Sequence, residues 1–398
     1  MKQLLSLILL FVSVFAANRA YSQPALSEEE LEEATVFTDL EKALKDPGEV
    51  YILDLSGQEL AAIPPTINRL RNLQILYLDN NHLVNLHPNL FKLKKLQLIS
   101  LDSNYMKQIP EELTQLTTLE ELYIGYNRYT EVPKSLANME SLTILSIAGM
   151  GKLDMAETFQ ILVKMKGLTH LDLSKCDLDT IPWMINGVQK LRSLNLSHNP
   201  KMEWDTSFQY MSQVNILEEL ILTNNSIRML PASIGLLNQL KVVDVSDNPK
   251  LNVDALMSVL KPLYRLEVLD ISNSGISELP KNIGSLSSLV ELYAQNNKIS
   301  KISPELKKLE FLEVLNLNNN EITDIGDSFG FLQNLEELYL YNNPIEFVSE
   351  EITDLKDLKY LELPNSSLDK ETKKNLKKWL PETDIQFIDL KKDKRKKR

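Results

Sequence analysis

The chain has 398 residues, of which 43% are hydrophobic and 25% charged, with 12 glycines and a formal net charge of −12. That balance excludes a disordered or low-complexity chain and allows a sizeable packed core. A single cysteine excludes a framework of internal disulfides, so stability must come from packing.

In chain order, the first element is "MKQLLSLILLFVSVFAANRAYSQ". Lys2 gives a positive start, an apolar run covers residues 4–17, and Ala20 and Ser22 put small residues just before Gln23. Residues 1–22 read as a cleaved export signal, with an uncleaved amphipathic anchor as the alternative. The run is too short to span a bilayer, and no later stretch looks like a transmembrane segment. No cysteine follows it, which excludes a lipid anchor on cysteine. Residues 23–49 form an N-terminal segment in which "TVFTDLEKALKDPG" predicts a short capping helix. Thr38 with Glu41 offers a capping box there, and Pro47-Gly48 a stop.

From residue 50 the chain repeats. "VYILDLSGQEL" starts at Val50, "LQILYLDNNHL" at Leu73, "LQLISLDSNYM" at Leu96 and "LEELYIGYNRY" at Leu119. Ten more units follow, starting at Leu142, Leu168, Leu191, Leu217, Leu240, Leu266, Leu289, Leu312, Leu335 and Leu358, which makes 14. Most intervals are 23 residues, and those starting at Leu142, Leu191 and Leu240 are 26. A fixed period of this length denotes stacked supersecondary units.

The second and third leucine-type positions of each unit are two apart, as on a strand with one buried face. Leu76 and Leu78 should point inward, and Ile75, Tyr77 and Asp79 outward. The ninth position turns the chain away from the strand, and a buried amide there can bridge neighbouring turns because it both donates and accepts. That column holds Asn81, Asn104, Asn127, Asn199, Asn225, Asn248, Asn297, Asn320 and Asn343, with Gln58, Met150, Cys176, Ser274 and Ser366 as exceptions.

This pattern, L-x-x-L-x-L-x-x-N-x-L over residues 50–368, resembles the leucine-rich repeat family. Tails such as "MLPASIGLLNQL" resemble its L-P-x-x-I-x-x-L-x-x-L subtype, which bacterial repeat proteins and intracellular signalling scaffolds share. The resemblance implies an α/β solenoid, or horseshoe, with a parallel β-sheet on its concave side and helical caps at both ends. The L-P tails should be 3₁₀ turns on the convex side, since proline removes a backbone donor. The three 26-residue tails should be true helices. Trp204, in one of them, reads as packing.

Cys176 falls in the ladder column, where a small, weakly donating thiol suits a buried site. A nucleophilic thiol would need exposure and a base. His170 belongs to the concave side instead. Met150 cannot make the ladder bonds, and Gly149 and Gly151 flank it, which predicts a local distortion.

Residues 369–390 read as a C-terminal cap, a basic helix and then a strand ending at Phe387, with Leu376, Trp379 and Leu380 closing the core. Residues 391–398, "KKDKRKKR", should be a disordered basic tail that either contacts anionic envelope polymers or only solubilises the chain. Residues 369–398 carry 12 Lys/Arg and 6 Asp/Glu, and the signal holds Lys2 and Arg19, which leaves 29 basic against 49 acidic residues between. This acidic body argues against nucleic acid as the main partner.

No nucleophile elbow, phosphate-binding glycine loop or H-E-x-x-H occurs, and His82, His87, His170 and His198 take different places in different turns. No catalytic, cofactor-binding or metal-binding residue is expected. The informative surface is concave. Of its 42 positions 11 are acidic (Asp54, Asp79, Asp102, Glu121, Asp172, Glu219, Asp244, Asp270, Glu291, Glu337 and Glu362) and none is Lys or Arg. Tyr77 and Tyr123 lie there too, and Tyr293, Tyr339, Tyr341 and Tyr360 fall in the last four units. At a strand spacing of about 4.8 Å those four would share a patch about 15 Å wide. Either this is a binding surface, or acids and tyrosines are simply what the repeat uses at these places. The sequence thus reads as an exported, monomeric, non-enzymatic protein (secreted, periplasmic or on the cell surface). It should bind a protein, one with a basic surface, through Tyr293, Tyr339, Tyr341, Tyr360, Glu337 and Glu362. A structural or adhesion protein of the envelope, anchored by its basic tail, is the alternative.

Overall fold

The structure, a computed structural model, describes residues 25–326 and 329–389. The export signal at 1–22 and the basic tail at 391–398 therefore lie outside the described residues. Among the described residues, 16 strands form one parallel sheet in chain order, interrupted only where the two short strands Asp324–Ile325 and Phe347–Val348 pair with each other. Fourteen of the sixteen belong to the repeats, from Ile52–Asp54 to Tyr360–Pro364. Register advances by one repeat at each step: Leu53 pairs with Leu76, and Leu76 with Ile99.

Every unit buries its first, fourth and sixth places, and most bury the eleventh as well. In the unit starting at Leu73, Leu73, Leu76, Leu78 and Leu83 are all fully buried. A leucine so placed contributes about 1.5–3 kcal/mol, and here it is realised only because the neighbouring units cover it. Between strands the chain returns over the convex side. Pro110, Pro133, Pro182 and Pro231 stand just before 3₁₀ segments with φ between −72° and −58°, the range the ring imposes. Leu113, Leu136, Ile185 and Ile234 point from those segments into the core. The three longer tails are α-helices, Met155–Leu162, Trp204–Met211 and Val253–Leu260. Trp204 is half-buried on the core and stacks on Phe208, with centroids 5.6 Å apart.

Both raw ends are covered, the first not as expected. The N-terminal helix is only Leu40–Ala43, and its cap is Asp39, whose carboxylate accepts from the Lys42 N–H at 3.1 Å. The Thr38–Glu41 capping box does not form. Val36 and Phe37 are extended instead, because the edge of the first repeat strand takes them as a partner, Val36 against Ile52 and Phe37 against Leu53. A second helix, Glu28–Glu32, is capped by Ser27. Upstream of it, the Leu26 backbone is tied to Gln74, a buried amide that also donates to Gln97 at 2.8 Å. At the other end the helix Lys370–Trp379 buries Leu376, and strand Asp384–Ile388 pairs along the whole of Tyr360–Pro364.

The distortion expected at Met150 is absent. Gly149 has φ +69°, and Asn80, Ser103 and Tyr126 hold the same place in other units at +53°, +58° and +51°. The left-handed turn recurs in every unit but the last, so the glycine fits the pattern, and Met150 is buried in register.

Candidate functional site

Two sets of side chains organise the strand ends. The first is the ladder. Asn104 donates through Nδ2 to the carbonyls of Leu78 and Leu101, both at 3.0 Å, and accepts the Leu83 N–H at 3.0 Å. Asn199 does the same with Leu173 and Leu196, and accepts from Cys176 and Leu178. One buried amide thus satisfies backbone groups of two turns. Cys176 sits in this row, 3% exposed, with its thiol donating to the Ile147 carbonyl at 3.2 Å. Burial pushes the thiol up to about 11, far from the thiolate that a nucleophile needs.

The second set is the concave aspartates. Asp54, Asp172, Asp244 and Asp270 each accept the N–H two residues on, from Ser56, Ser174, Ser246 and Ser272 at 2.7–2.9 Å. Asp79 and Asp102 reach one repeat further, to the N–H groups of Asp102 and Gly125 at 3.0 and 2.6 Å. Asp79 also accepts the Ser100 hydroxyl. These six carboxylates fasten the exits of strands. Desolvation pushes the Asp102 carboxyl up to about 7, helped by Asp79, and the Asp270 carboxyl up to about 6, helped by Asp244.

The C-terminal concave face is organised differently. Glu337 pairs in register with Tyr360, and Tyr339 with Glu362, so two tyrosines and two glutamates alternate on a square. The Tyr339 and Tyr360 rings lie 5.2 Å apart at 45°. Tyr339 donates its hydroxyl to Glu337 at 2.6 Å, and Glu362 accepts from Tyr360 at 3.4 Å and from Asn318 at 3.5 Å. Burial is the first cause that raises the hydroxyls of both tyrosines above the ordinary phenol range. Tyr341 stands at the strand exit, its N–H held by Asn318 at 2.6 Å. Tyr293 is separated from Tyr339 by Asn316 and donates to Glu291 at 2.6 Å. The structure therefore brings Tyr339, Tyr360, Glu337 and Glu362 into contact, with Tyr341 beside them, and sets Tyr293 two strands away.

Among the described residues no group of three His, Cys, Asp or Glu side chains is placed to hold a metal ion, and no helix is long and apolar enough to cross a membrane.

The leucine-rich repeat region model matches residues 34–203 and 240–396, most of the chain. The chain belongs to the leucine-rich repeat family. A leucine-rich repeat protein of Leptospira interrogans is 27% identical, with a TM-score of 0.57 over 89% of this chain and all of that one. An internalin of Listeria monocytogenes is 23% identical, with a TM-score of 0.45 over 90% of this chain and 88% of its own. TLR13, solved in complex with ssRNA13, is 18% identical, with a TM-score of 0.51 over 89% of this chain and 68% of its own. No curated protein matches.

The family's repeat explains what the sequence reading missed. In this leucine-rich repeat chain the aspartate of "LDLS" is a strand-exit acceptor, recognisable by the serine two residues on. The triplet "ELY" at 121–123, 291–293 and 337–339 is a glutamate–tyrosine hydrogen bond along one strand face, since residues two apart share a face.

Proposed function

We propose that this leucine-rich repeat protein is an exported, non-enzymatic binding protein that holds a protein partner on the C-terminal part of its concave face. The observation that carries the reading is the Tyr339–Tyr360 ring pair with Glu337 and Glu362 at its corners. Two aromatic rings with hydroxyls already bonded to glutamates present ordered contact area, which lowers the entropy cost of binding. The glutamate charge favours a partner with basic groups, and the aspartates occupied at strand exits in the first ten units contribute less to recognition. Domain limits at residues 22, 49, 368 and 390 belong to the same reading, as does export: mass spectrometry of protein from the native host should find the chain starting at or near Gln23. An intact Met1 in the exported pool would remove export from the proposal.

The test is capture from surface extracts by the full chain, by Tyr339→Ala with Tyr341→Ala, and by a chain lacking residues 391–398. Loss of the partner on tyrosine substitution supports concave recognition. Loss only on removal of 391–398 favours the second reading, attachment to the envelope through the basic residues.

A further inference from the structure

The turns that follow the strands form a separate edge of the solenoid, and in its N-terminal third this edge is cationic and aromatic. His82, Tyr105 and Arg128 hold the same place in three consecutive repeats. His82 stacks on Tyr105, with centroids 5.4 Å apart and planes within 5°. The Arg128 guanidinium lies 4.5 Å from the centroid of the same ring. A second stack runs alongside. Tyr126, Gly149 and Lys175 hold one place in three consecutive repeats, the first of them that of Arg128, and Lys175 Nζ is 5.3 Å from the Tyr126 centroid. Gly149 makes this possible, because a Cβ there would stand 2.4 Å from the Tyr126 ring. Gly149 is therefore the bed of an exposed tyrosine. Tyr105 is 42% and Tyr126 41% exposed.

Lys107 and Lys152 are exposed on the same edge. Among the described residues neither they nor Arg128 and Lys175 form an ion pair, whereas the nearby Asp177 is already bridged to Lys201 at 2.7 Å. The turn positions of Asn80, His82 and Val84, of Ser103, Tyr105 and Lys107, and of Tyr126, Arg128 and Thr130 include no acid. In a body with 20 more acidic than basic residues, these nine positions carry Lys107 and Arg128 and no acid, and the run is bounded at the His82 place by Glu59 and Asp177.

We propose that this turn edge binds an anionic polysaccharide whose carboxylates repeat along the chain. A cation held over a ring has already lost side-chain freedom, and its outward N–H groups remain available for charge-assisted bonds to oxyanions. Four strand intervals separate His82 from Lys175, about 20 Å at sheet spacing, which is a track for a polymer and not a pocket for a small ligand. Single-stranded nucleic acid is less suited, because it stacks bases on open aromatic faces, and here those faces carry His82, Arg128 and Lys175. The acidic concave face repels such a polymer and keeps the two surfaces distinct.

The test titrates the full chain with polygalacturonate fragments, with neutral dextran and with oligo(dT). Arg128→Glu with Lys175→Glu is compared with Lys261→Glu with Lys301→Glu, an equal change of net charge placed elsewhere. The edge pair should weaken polygalacturonate binding at least tenfold and the control pair less than twofold. Tyr105→Leu with Tyr126→Leu, which keeps every charge, should weaken it several-fold because the cations lose their platform. Equal losses from both charge-reversal pairs, no polygalacturonate binding, or tighter binding of oligo(dT) with the same sensitivity would each overturn the proposal. Circular dichroism of every variant establishes that it is folded.

Discussion

Asn199→Ala should be among the most damaging single substitutions in this protein. Asn199 is fully buried, and its Oδ1 is the acceptor for the N–H groups of Cys176 and Leu178, both at 3.0 Å. Its Nδ2 donates to the carbonyls of Leu173, Leu196 and Ser197 at 3.0–3.1 Å. The methyl of alanine replaces none of these bonds. Leaving one buried donor without a partner costs about 1–3 kcal/mol, so the two N–H groups alone give about 2–6 kcal/mol. The neighbour in the row offers the contrast. Cys176 makes only weak bonds through sulfur, to the Ile147 and Ser174 carbonyls at 3.2 and 3.6 Å, and Cys176→Ser should cost about 1 kcal/mol. Urea unfolding followed by far-ultraviolet circular dichroism measures both. Repeat arrays can unfold in stages, so the comparison uses the first transition that each variant shifts. Asn199→Ala within about 0.5 kcal/mol of the parent chain would refute the claim that the ladder amides hold the turns together.

Four further outcomes follow from the geometry. Cys176 should resist thiol reagents in the native protein and react once urea unfolds it, because the site is buried and the thiol lies up at about 11; Cys176→Asn should be close to neutral, since it restores the ladder amide. The Asp102 carboxyl, pushed up to about 7, binds a proton in the folded chain that the unfolded chain releases near its ordinary value of 3.8. Its contribution to stability is therefore present at low pH and lost as pH rises toward and through 7, so Asp102→Asn should gain on the parent chain between pH 5 and pH 8, by about 1 kcal/mol or more, as thermal melts across that range would show. Gly149→Val should lower the melting temperature, since it combines a strained positive φ with a clash against Tyr126, and Tyr126→Ala in the same chain should recover only the clash.

The repeat, its register and its ladder were legible because they rest on periodic burial, which a sequence displays directly. Leu76, Leu78 and Asn81 occupy places that the pattern alone dictates. The N-terminal cap was misread for a local reason. Thr38 and Glu41 satisfy a capping pattern, but the unpaired edge of the first repeat strand draws Val36 and Phe37 into the sheet and moves the cap to Asp39. Met150 was misread because the glycine before it looked like a weakness, whereas every unit but the last takes a left-handed residue there. The concave acids were legible as a composition but not as a function. Only the side-chain geometry separates Asp54 or Asp270, which hold strand exits, from Glu337 and Glu362, which frame a ring pair. Tyr293 lies two strands from Tyr339, with Asn316 between them, as the repeat spacing places it.

The central claim is that the C-terminal concave tyrosines bind the protein partner, and calorimetric titration of that partner, once captured, tests it most directly. Three folded proteins are compared: the parent chain, Tyr339→Ala with Tyr341→Ala, and Tyr77→Ala at the far end of the same face. The account predicts a loss of about 2 kcal/mol or more for the double substitution and little change for Tyr77→Ala. Equal affinities for all three would contradict it and move recognition away from these tyrosines.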